Sequence, residues 1–214
     1  MLYNSKEFGI MEKQPEMDLY SPGEERFGLI GSRMYSFSRI IPTMHNFYKF
    51  VFEDLNSMDF QYVLDIGSGN GHVLTTLAKM KQNFTGTGID PSQQMVRVAA
   101  RKARKLGLDR RIKFEGGSSR EIPHDEKYDV IYTTMSFHHW KEREKSIEGI
   151  MQRLNPGGRF IVYEVTDDGS FSRRFVKVHL MEADTFRNIA KNAGLKIDLK
   201  EKNGYIRCMF KSAE

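Results

Sequence analysis

The feature that most constrains this chain is an apolar run that ends in a glycine-rich turn. Residues 63–71 read Val-Leu-Asp-Ile-Gly-Ser-Gly-Asn-Gly, which is typical of a buried strand followed by a turn that opens a helix. Glycines allow close approach of the backbone to a ligand, and several must tolerate positive φ. The backbone N–H groups of the turn are then expected to face the ligand. The run therefore predicts a ligand site at the carboxyl end of a parallel strand.

The rest of the sequence from Gln61 onward predicts an α/β fold, because apolar β-rich runs alternate with helical patterns. A hairpin is expected at Asn203-Gly204, between two extended runs, and a turn at residues 155–158, where the sequence is Asn-Pro-Gly-Gly. We predict a doubly wound, Rossmann-like, seven-stranded sheet with a C-terminal antiparallel hairpin. The expected strands are about 62–66, 84–90, 112–115, 128–133 and 160–165, and the expected helices about 71–81, 92–106, 141–154 and 182–192.

One domain is predicted over residues 1–214, with residues 56–214 as the α/β core. Residues 1–55 are predicted to form an N-terminal helical cap. Within it, four apolar residues recur at helical spacing, namely Met44, Phe47, Val51 and Leu55. We expect this helix to pack over the carboxyl edge of the sheet, where ligands bind in such folds.

The composition predicts a soluble protein of the reducing cytoplasm. The single cysteine, Cys208, cannot form an internal disulfide. The sequence contains no signal-like segment and no apolar run of about 18 residues that could span a membrane. A net charge of +5 fits an acidic partner such as RNA or an anionic lipid surface. Much of that charge lies at residues 97–111, which straddle the end of a predicted helix, and a solvated surface is the favoured explanation there.

The second predicted strand ends in an acidic residue, Asp90, 19 positions after Gly71. A carboxylate there can accept hydrogen bonds from both hydroxyls of a ribose. The glycine spacing is G-x-G-x-G, whereas dinucleotide-binding proteins use G-x-G-x-x-G. The pair of features therefore favours a nucleoside-containing ligand other than a nicotinamide dinucleotide.

Four segments together resemble the class I S-adenosylmethionine-dependent methyltransferases, and among them the small-molecule branch that includes the ubiquinone and menaquinone biosynthesis methyltransferases. The resemblance covers about residues 46–210. The segments are VLDIGSGNGHV at 63–73, GIDPSQQM at 88–95, KYDVIYTTMSFHHW at 127–140 and LNPGGRFIV at 154–162.

The resemblance implies a set of cofactor-binding residues. Asp65 and the turn would hold the methionine amino and carboxylate groups, Asp90 would hold the ribose, and Thr133 is included at the end of the fourth strand. The turn residues in question are Gly67, Ser68, Gly69, Asn70 and Gly71, and the residues that would line the adenine are Pro91 and Met95.

The sequence departs from the family pattern after the third predicted strand. Where the family reads Gly-Asp-Ala, with the aspartate on the adenine amino group, this chain reads Gly117-Ser118-Ser119. The change removes a charged acceptor. Ser118 is expected to give a weaker hydrogen bond, and the backbone of Ser119 to do most of the adenine recognition.

The fourth strand is followed by His138 and His139, where the resemblance implies residues that face the methyl acceptor. Two interpretations of His138 stay open: a general base that takes a proton from the acceptor, or a residue that only caps the loop above Trp140. His139 is interpreted as structural, and His72 as merely near the cofactor. No His, Cys and Asp spacing suits a metal, so none is predicted.

A tyrosine near the beginning of the chain, Tyr35, is a further candidate cofactor contact. The resemblance implies an aromatic residue on an N-terminal segment that closes over the cofactor, where its ring would attract the sulfonium cation. The alternative is that Tyr35 only packs an amphipathic segment.

The predicted function is S-adenosylmethionine-dependent methyl transfer to an oxygen, carbon or nitrogen of a small molecule by in-line displacement. The run Thr133-Thr134-Met135-Ser136 stands where amino-group methyltransferases carry Asn/Asp-Pro-Pro-Tyr, and Cys208 lies far from the cofactor edge. These features disfavour an exocyclic-amine substrate and a cysteine nucleophile.

The alternative functions are an RNA or protein methyltransferase and a non-catalytic cofactor-binding subunit. No stable nucleic-acid partner is expected, and the sequence is silent on oligomeric state.

Overall fold

Seven strands form a single sheet in the computed structural model, which describes residues 42–167 and 180–212. The strands are β1 Tyr62–Ile66, β2 Thr85–Asp90, β3 Ile112–Gly116, β4 Tyr128–Thr134, β5 Leu154–Val165, β6 Leu195–Lys202 and β7 Tyr205–Ser212. The described helices are α1 Pro42–Asn56, α2 His72–Met80, α3 Gln93–Lys105, α4 Arg143–Gln152 and α5 Ala183–Asn192, together with a 3₁₀ turn at Phe137–His139.

The strand order is β3-β2-β1-β4-β5-β7-β6. The first five strands are parallel, and β7 is antiparallel to both β5 and β6. Chain progression reverses between β1 and β4, which is the switch point where ligands bind in doubly wound sheets. The predicted Rossmann-like sheet with an antiparallel hairpin is confirmed. None of the helices in the described part of the chain has the length and apolar character to cross a bilayer.

The hairpin forms where it was predicted. Asn203 and Gly204 have φ of 53° and 74°, as the two central residues of a type I′ turn require. β7 lies between β5 and β6 and is buried from Tyr205 to Phe210. The last parallel strand is therefore covered by a returning strand of opposite direction.

β5 differs from its prediction. It was expected to begin at Phe160 after a turn at 155–158, but it begins at Leu154. The register with β4 moves from Tyr128↔Leu154 directly to Val130↔Arg159. The intervening residues therefore bulge out within the strand, because Gly157 has φ +76° and proline at 156 has no N–H for the ladder. The other predicted elements agree with the structure within two residues.

α1 lies against one face of the sheet, where Phe47, Val51 and Leu55 are fully buried. It shares this face and one apolar core with α2, while α4 and α5 pack on the opposite face. This corrects the expectation that α1 packs over the carboxyl edge, since its apolar stripe faces strands rather than their ends. A capping role for residues 1–55 stays a prediction, because 1–41 are outside the described residues.

A buried polar cluster fixes the end of α1 to the sheet. The Tyr163 hydroxyl donates to Asp54 Oδ2 at 2.8 Å, and Arg207 Nε lies 3.6 Å from the same oxygen. Lys200 Nζ approaches Asp54 Oδ1 at 3.5 Å, and Arg207 also pairs with Asp198 at 3.1 Å. Asp54 is only 8% exposed, so this charge is compensated by cations from β6 and β7 rather than by water.

Candidate functional site

The glycine turn between β1 and α2 lies at the carboxyl edge of the sheet. Gly67 and Gly69 have positive φ, of 72° and 52°, but their surroundings differ. A Cβ at Gly67 would stand 2.4 Å from Ser136 Oγ, whereas one at Gly69 would meet nothing within 4 Å. Gly67 is therefore required by contact with the loop after β4, and Gly69 borders open space in which a ligand can lie.

The N–H groups of this turn are used within the protein. Gly67 and Ser68 both donate to the carbonyl of Ile89 at 2.9 Å. Gly69 donates to Asp90 Oδ2 at 2.8 Å. The expectation that these N–H groups face the ligand is therefore wrong for these three residues. Their hydrogen bonds instead fix the turn against the end of β2.

Asp90 ends β2 with both carboxylate oxygens engaged. Oδ2 accepts from Gly69 N, and Oδ1 accepts from Ser92 N at 2.9 Å. Burial raises the pKa of Asp90 to about 6, although these two backbone hydrogen bonds lower it. Each oxygen keeps a further lone pair, so the carboxylate can still accept hydrogen bonds from a ribose.

Asp65 lies in the middle of the site, beside the Tyr132 hydroxyl and the Asp90 carboxylate. It is 1% exposed, and neither carboxylate oxygen has a hydrogen-bond partner in the described part of the chain. Burial raises the pKa of Asp65 to about 8. The neighbouring Tyr132 hydroxyl lowers this pKa, and the negative charge of Asp90 raises it further. Without a ligand the carboxyl is therefore largely protonated at neutral pH. A bound cation would favour its ionisation.

The segment after β3 uses its serine hydroxyls locally. Ser118 Oγ accepts from the backbone N–H groups of Arg120 and Glu121 at 3.3 and 3.2 Å. Ser119 Oγ lies 3.2 Å from Ser146 Oγ on α4. A Cβ at Gly117 would stand 2.9 Å from Pro123 Cδ. Ser118 Oγ thus organises a turn, and its predicted contact with adenine stays a prediction.

The adenine side at the beginning of α3 is ordered by Ser92. Ser92 caps the helix, its hydroxyl accepting from Met95 N at 3.4 Å. Met95 is 5% exposed, and Pro91 is half-buried beside it. Both residues lie at the carboxyl edge directly after Asp90, where the resemblance requires the adenine.

The end of β4 carries a strained residue. Met135 has φ +51°, a conformation that costs a non-glycine residue about 1–2 kcal/mol. Its N–H donates to Tyr163 O at 3.0 Å, which holds the chain in that conformation. Thr133, two residues earlier, is fully buried with no partner for Oγ1 in the described residues. Strain and an unsatisfied hydroxyl at a strand end are typical of binding sites.

His138 is held by a buried carboxylate that the sequence prediction missed. His138 Nδ1 lies 2.9 Å from Glu164 Oε2, and the backbone N–H of His138 donates to Glu164 Oε1 at 3.2 Å. The side chains are 6% and 0% exposed. A carboxylate at Nδ1 requires this nitrogen to carry the proton, so Nε2 is the ring nitrogen able to accept one. A charged residue inside the apolar run FIVYEV was the signal for Glu164.

The neighbours of His138 fix the loop in place. The His139 ring is 4.0 Å from the His138 ring, centroid to centroid. Trp140 donates from Nε1 to Ser136 Oγ at 3.2 Å and stacks on Phe160. Trp140 is thereby held against Ser136 and Phe160, and its expected packing beneath the histidines stays a prediction. Its packing does not decide between the two interpretations of His138.

Two further candidates fall elsewhere. His72 begins α2 and packs edge-on against Tyr48 of α1, with ring centroids 4.6 Å apart. Tyr35 lies outside the described residues, so its predicted cofactor contact stays a prediction.

The remaining unsatisfied groups fit the methionine end of the predicted cofactor. Most of the buried side-chain oxygens without a well-formed hydrogen bond in the described chain cluster at the ends of β1 and β4. These are the oxygens of Asp65, Ser68, Tyr132 and Thr133, while a further one, on Glu115, lies on β3. Buried polar atoms are normally hydrogen-bonded, so such a cluster calls for a polar ligand. An amino acid moiety, with one ammonium and one carboxylate, supplies both the donors and the acceptors that these groups need.

This fold and site define the class of S-adenosylmethionine-dependent methyltransferases. Residues 60–211 match the family described as methyltransferase domain, and the chain belongs to that family. Its cofactor is S-adenosylmethionine.

Individual relatives agree with the class. The chain is 36% identical over 98 residues to the 27-O-demethylrifamycin SV methyltransferase of Amycolatopsis mediterranei, covering 45% of this chain and 36% of the relative. It is 26% identical over 125 residues to the ubiquinone/menaquinone biosynthesis C-methyltransferase of Wigglesworthia glossinidia brevipalpis, covering 56% and 50%. The matches thus span half or less of these relatives.

One solved structure extends the likeness to nearly the whole chain. A Methanococcus maripaludis protein assigned to the S-adenosylmethionine-dependent methyltransferases has a TM-score of 0.74 and 18% identity, covering 91% of this chain and 98% of its own. At that identity the likeness is one of fold.

Proposed function

We propose that this chain transfers the sulfonium methyl group of S-adenosylmethionine to an oxygen, carbon or nitrogen nucleophile of a small molecule. The observation that carries the proposal is the cluster of unsatisfied buried oxygens around the glycine turn, between the carboxylates of Asp65 and Asp90. By their names, the relatives described above are a methyltransferase of 27-O-demethylrifamycin SV and a C-methyltransferase of ubiquinone/menaquinone biosynthesis, which supports a small-molecule acceptor.

The chain's residues have separate tasks in this proposal. Asp65 and Ser68 hold the methionine end, and Asp90 holds the ribose. Pro91 and Met95 line the adenine, with Ser118 and Ser119 close by. When bound, the cofactor supplies an electrophilic methyl group, so the protein contributes mainly by aligning the acceptor with that methyl group and excluding water.

His138 is the general base for acceptors that must lose a proton. The hydrogen bond from Nδ1 to Glu164 fixes the ring's tautomer and orientation, and Nε2 takes the proton. Glu164 is a positioning residue, since it acts through His138. The near-complete burial of the pair supports this role because a buried carboxylate strengthens the alignment of the imidazole.

The setting proposed is the cytoplasm, with no membrane span and no stable nucleic-acid partner. The single cysteine supports a reducing compartment; Cys208 is buried, and burial raises the pKa of its thiol, which makes the thiol unreactive.

The test is methyl transfer from labelled S-adenosylmethionine into fractionated metabolites, lipids and RNA. We expect label in a small-molecule fraction, lost in Asp90→Ala and retained in His139→Ala. Label in RNA alone would contradict the small-molecule proposal. Stabilisation by S-adenosylhomocysteine without transfer to any fraction would favour a non-catalytic binding subunit.

A further inference from the structure

Buried polar side chains lie beneath α1 and continue to the glycine turn. One of them, Tyr132, has no role in the proposed reaction. Tyr132 on β4 stands opposite Asp65 on β1 in the strand register. Both residues are buried, and the tyrosine hydroxyl and both carboxylate oxygens have no hydrogen-bond partner in the described part of the chain. Tyr163, on β5, is equally buried, but its hydroxyl donates to Asp54.

The two tyrosines therefore differ in one respect. The Tyr163 hydroxyl is committed to Asp54 of α1, whereas the Tyr132 hydroxyl faces the carboxyl of Asp65 beside the cofactor site. A buried O–H without an acceptor is unfavourable, and the group beside it that can become a strong acceptor is the carboxylate of Asp65.

The groups that face Asp65 do little to stabilise its ionised form. Asp90 approaches from β2 with the same charge, and Tyr132 approaches from β4 with a hydroxyl. No ion pair in the described residues includes Asp65. Burial and like charge thus favour the protonated carboxyl until a cation arrives.

We infer that Tyr132 is a positioning residue of the cofactor site: it donates to ionised Asp65 when the cofactor's ammonium group binds, and that binding releases one proton from Asp65. The inference rests on the proposed function, in which Asp65 holds the methionine amino group. The proton leaves the carboxyl for solvent, and the carboxylate then accepts from the ammonium group and from the Tyr132 hydroxyl.

The direction of the pH dependence follows from linkage. The ligand binds the ionised form of Asp65, so affinity rises with pH toward the carboxyl's pKa of about 8 and levels off above it. Removing the Tyr132 hydroxyl removes a group that stabilises the carboxylate. The midpoint of the pH dependence should therefore move to higher pH.

Calorimetric titration of the full chain with S-adenosylhomocysteine between pH 6.5 and 8.5 tests the inference. Buffers with different ionisation enthalpies give the number of protons released. We expect close to one proton from the wild type at pH 7 and none from Asp65→Asn. Tyr132→Phe should weaken binding several-fold at pH 7 and raise the midpoint by about half a pH unit or more. Tyr163→Phe is the matched control, since it loses the same atom from the same layer and should keep the wild-type midpoint.

The outcomes separate this inference from the proposed function. Tight binding without proton release, or equal midpoint shifts in the two tyrosine variants, would overturn the role of Tyr132 and leave the cofactor assignment standing. A folded wild type that does not bind S-adenosylhomocysteine at all would overturn both. The wild-type proton count needs no variant, so the inference stays testable even where a substitution prevents folding.

Discussion

Asp90 connects three parts of the site through one side chain. It accepts from the N–H groups of Gly69 and Ser92 and is proposed to accept from the ribose. Asp90→Ala should therefore weaken S-adenosylhomocysteine binding by roughly 10- to 100-fold, as loss of a charge-assisted pair implies. Calorimetry on the folded variant measures this. Affinity within twofold of the wild type would refute the ribose assignment.

The two glycines of the turn should fail in different ways. Gly67→Ala brings a methyl group against Ser136, so we expect a loss of roughly 1–3 kcal/mol of stability. Gly69→Val has space around its Cβ, and the positive φ of 52° costs about 1–2 kcal/mol. Its side chain nevertheless fills the ligand's space, so it should fold and fail to bind.

Thermal shift with and without S-adenosylhomocysteine distinguishes the two glycine variants. Without ligand the Gly67 variant should melt earlier than the Gly69 variant, because it adds the contact with Ser136 to the strain of a positive φ that both variants share. The Gly69 variant should gain no stabilisation from the ligand, and full stabilisation would mean that the turn is not the cofactor site.

His138 and Glu164 should act as a unit in turnover. His138→Ala is expected to lower turnover by roughly two to four orders of magnitude without changing cofactor affinity, because a base acts in the transition state. Glu164→Gln should lower turnover by a smaller factor, and His139→Ala serves as the control. Unchanged turnover in the His138 variant on its true acceptor would restore the loop-capping interpretation.

Residue spacing along the chain predicted the turn and Asp90, and the family resemblance added Asp65; all of them lie at one edge of the sheet. The spacing missed Glu164 and Tyr132, because these act through neighbours far along the chain. Glu164 reaches His138 across 26 positions, and Tyr132 meets Asp65 only through the β1–β4 register. A sequence pattern gives the face of a strand but not the residue opposite.

Among the elements, α1 is attached to the sheet by the buried polar cluster around Asp54. Asp54→Ala would leave Arg207 and the Tyr163 hydroxyl buried without that carboxylate. We expect a loss of roughly 3–5 kcal/mol of stability, measured by urea denaturation. Glu53→Ala is a matched control on the same helix, because Glu53 is exposed and pairs only loosely with Lys49 at 3.9 Å; it should change stability by less than about 1 kcal/mol. Equal effects would show that the cluster does not hold α1.

The bounds of most elements were predictable because they follow from the local periodicity of apolar residues and from the turn residues between the elements. α1's position and the bulge in β5 were not, because each depends on partners far along the chain. The bulge places residues 155–158 outside the β4 ladder, where Asn155 Nδ2 donates to Asp129 at 2.7 Å. That contact exists only once β4 and β5 are paired.

For the molecule as a whole, the buried carboxyl of Asp65 is a source of instability. Its pKa in the fold is about 8, above the ordinary value of 3.8, so folding favours the neutral form. The penalty therefore grows as pH rises from about 4 to 8. Asp65→Asn should melt at a higher temperature than the wild type at pH 7.5, with a difference that shrinks toward pH 5. A difference independent of pH would contradict the assignment, and so would a variant less stable than the wild type at every pH.

The position of β7 also has a consequence for synthesis on the ribosome. β7 follows β6 in the chain but lies inside the sheet, with Phe210 opposite Phe160 of β5. While residues 205–212 are still unmade, β5 has an open edge, and the core on the α4 and α5 face lacks Ile206, Cys208 and Phe210. An open edge invites pairing with other chains. The nascent protein must therefore remain protected until these residues emerge, and the sheet can close only after they do.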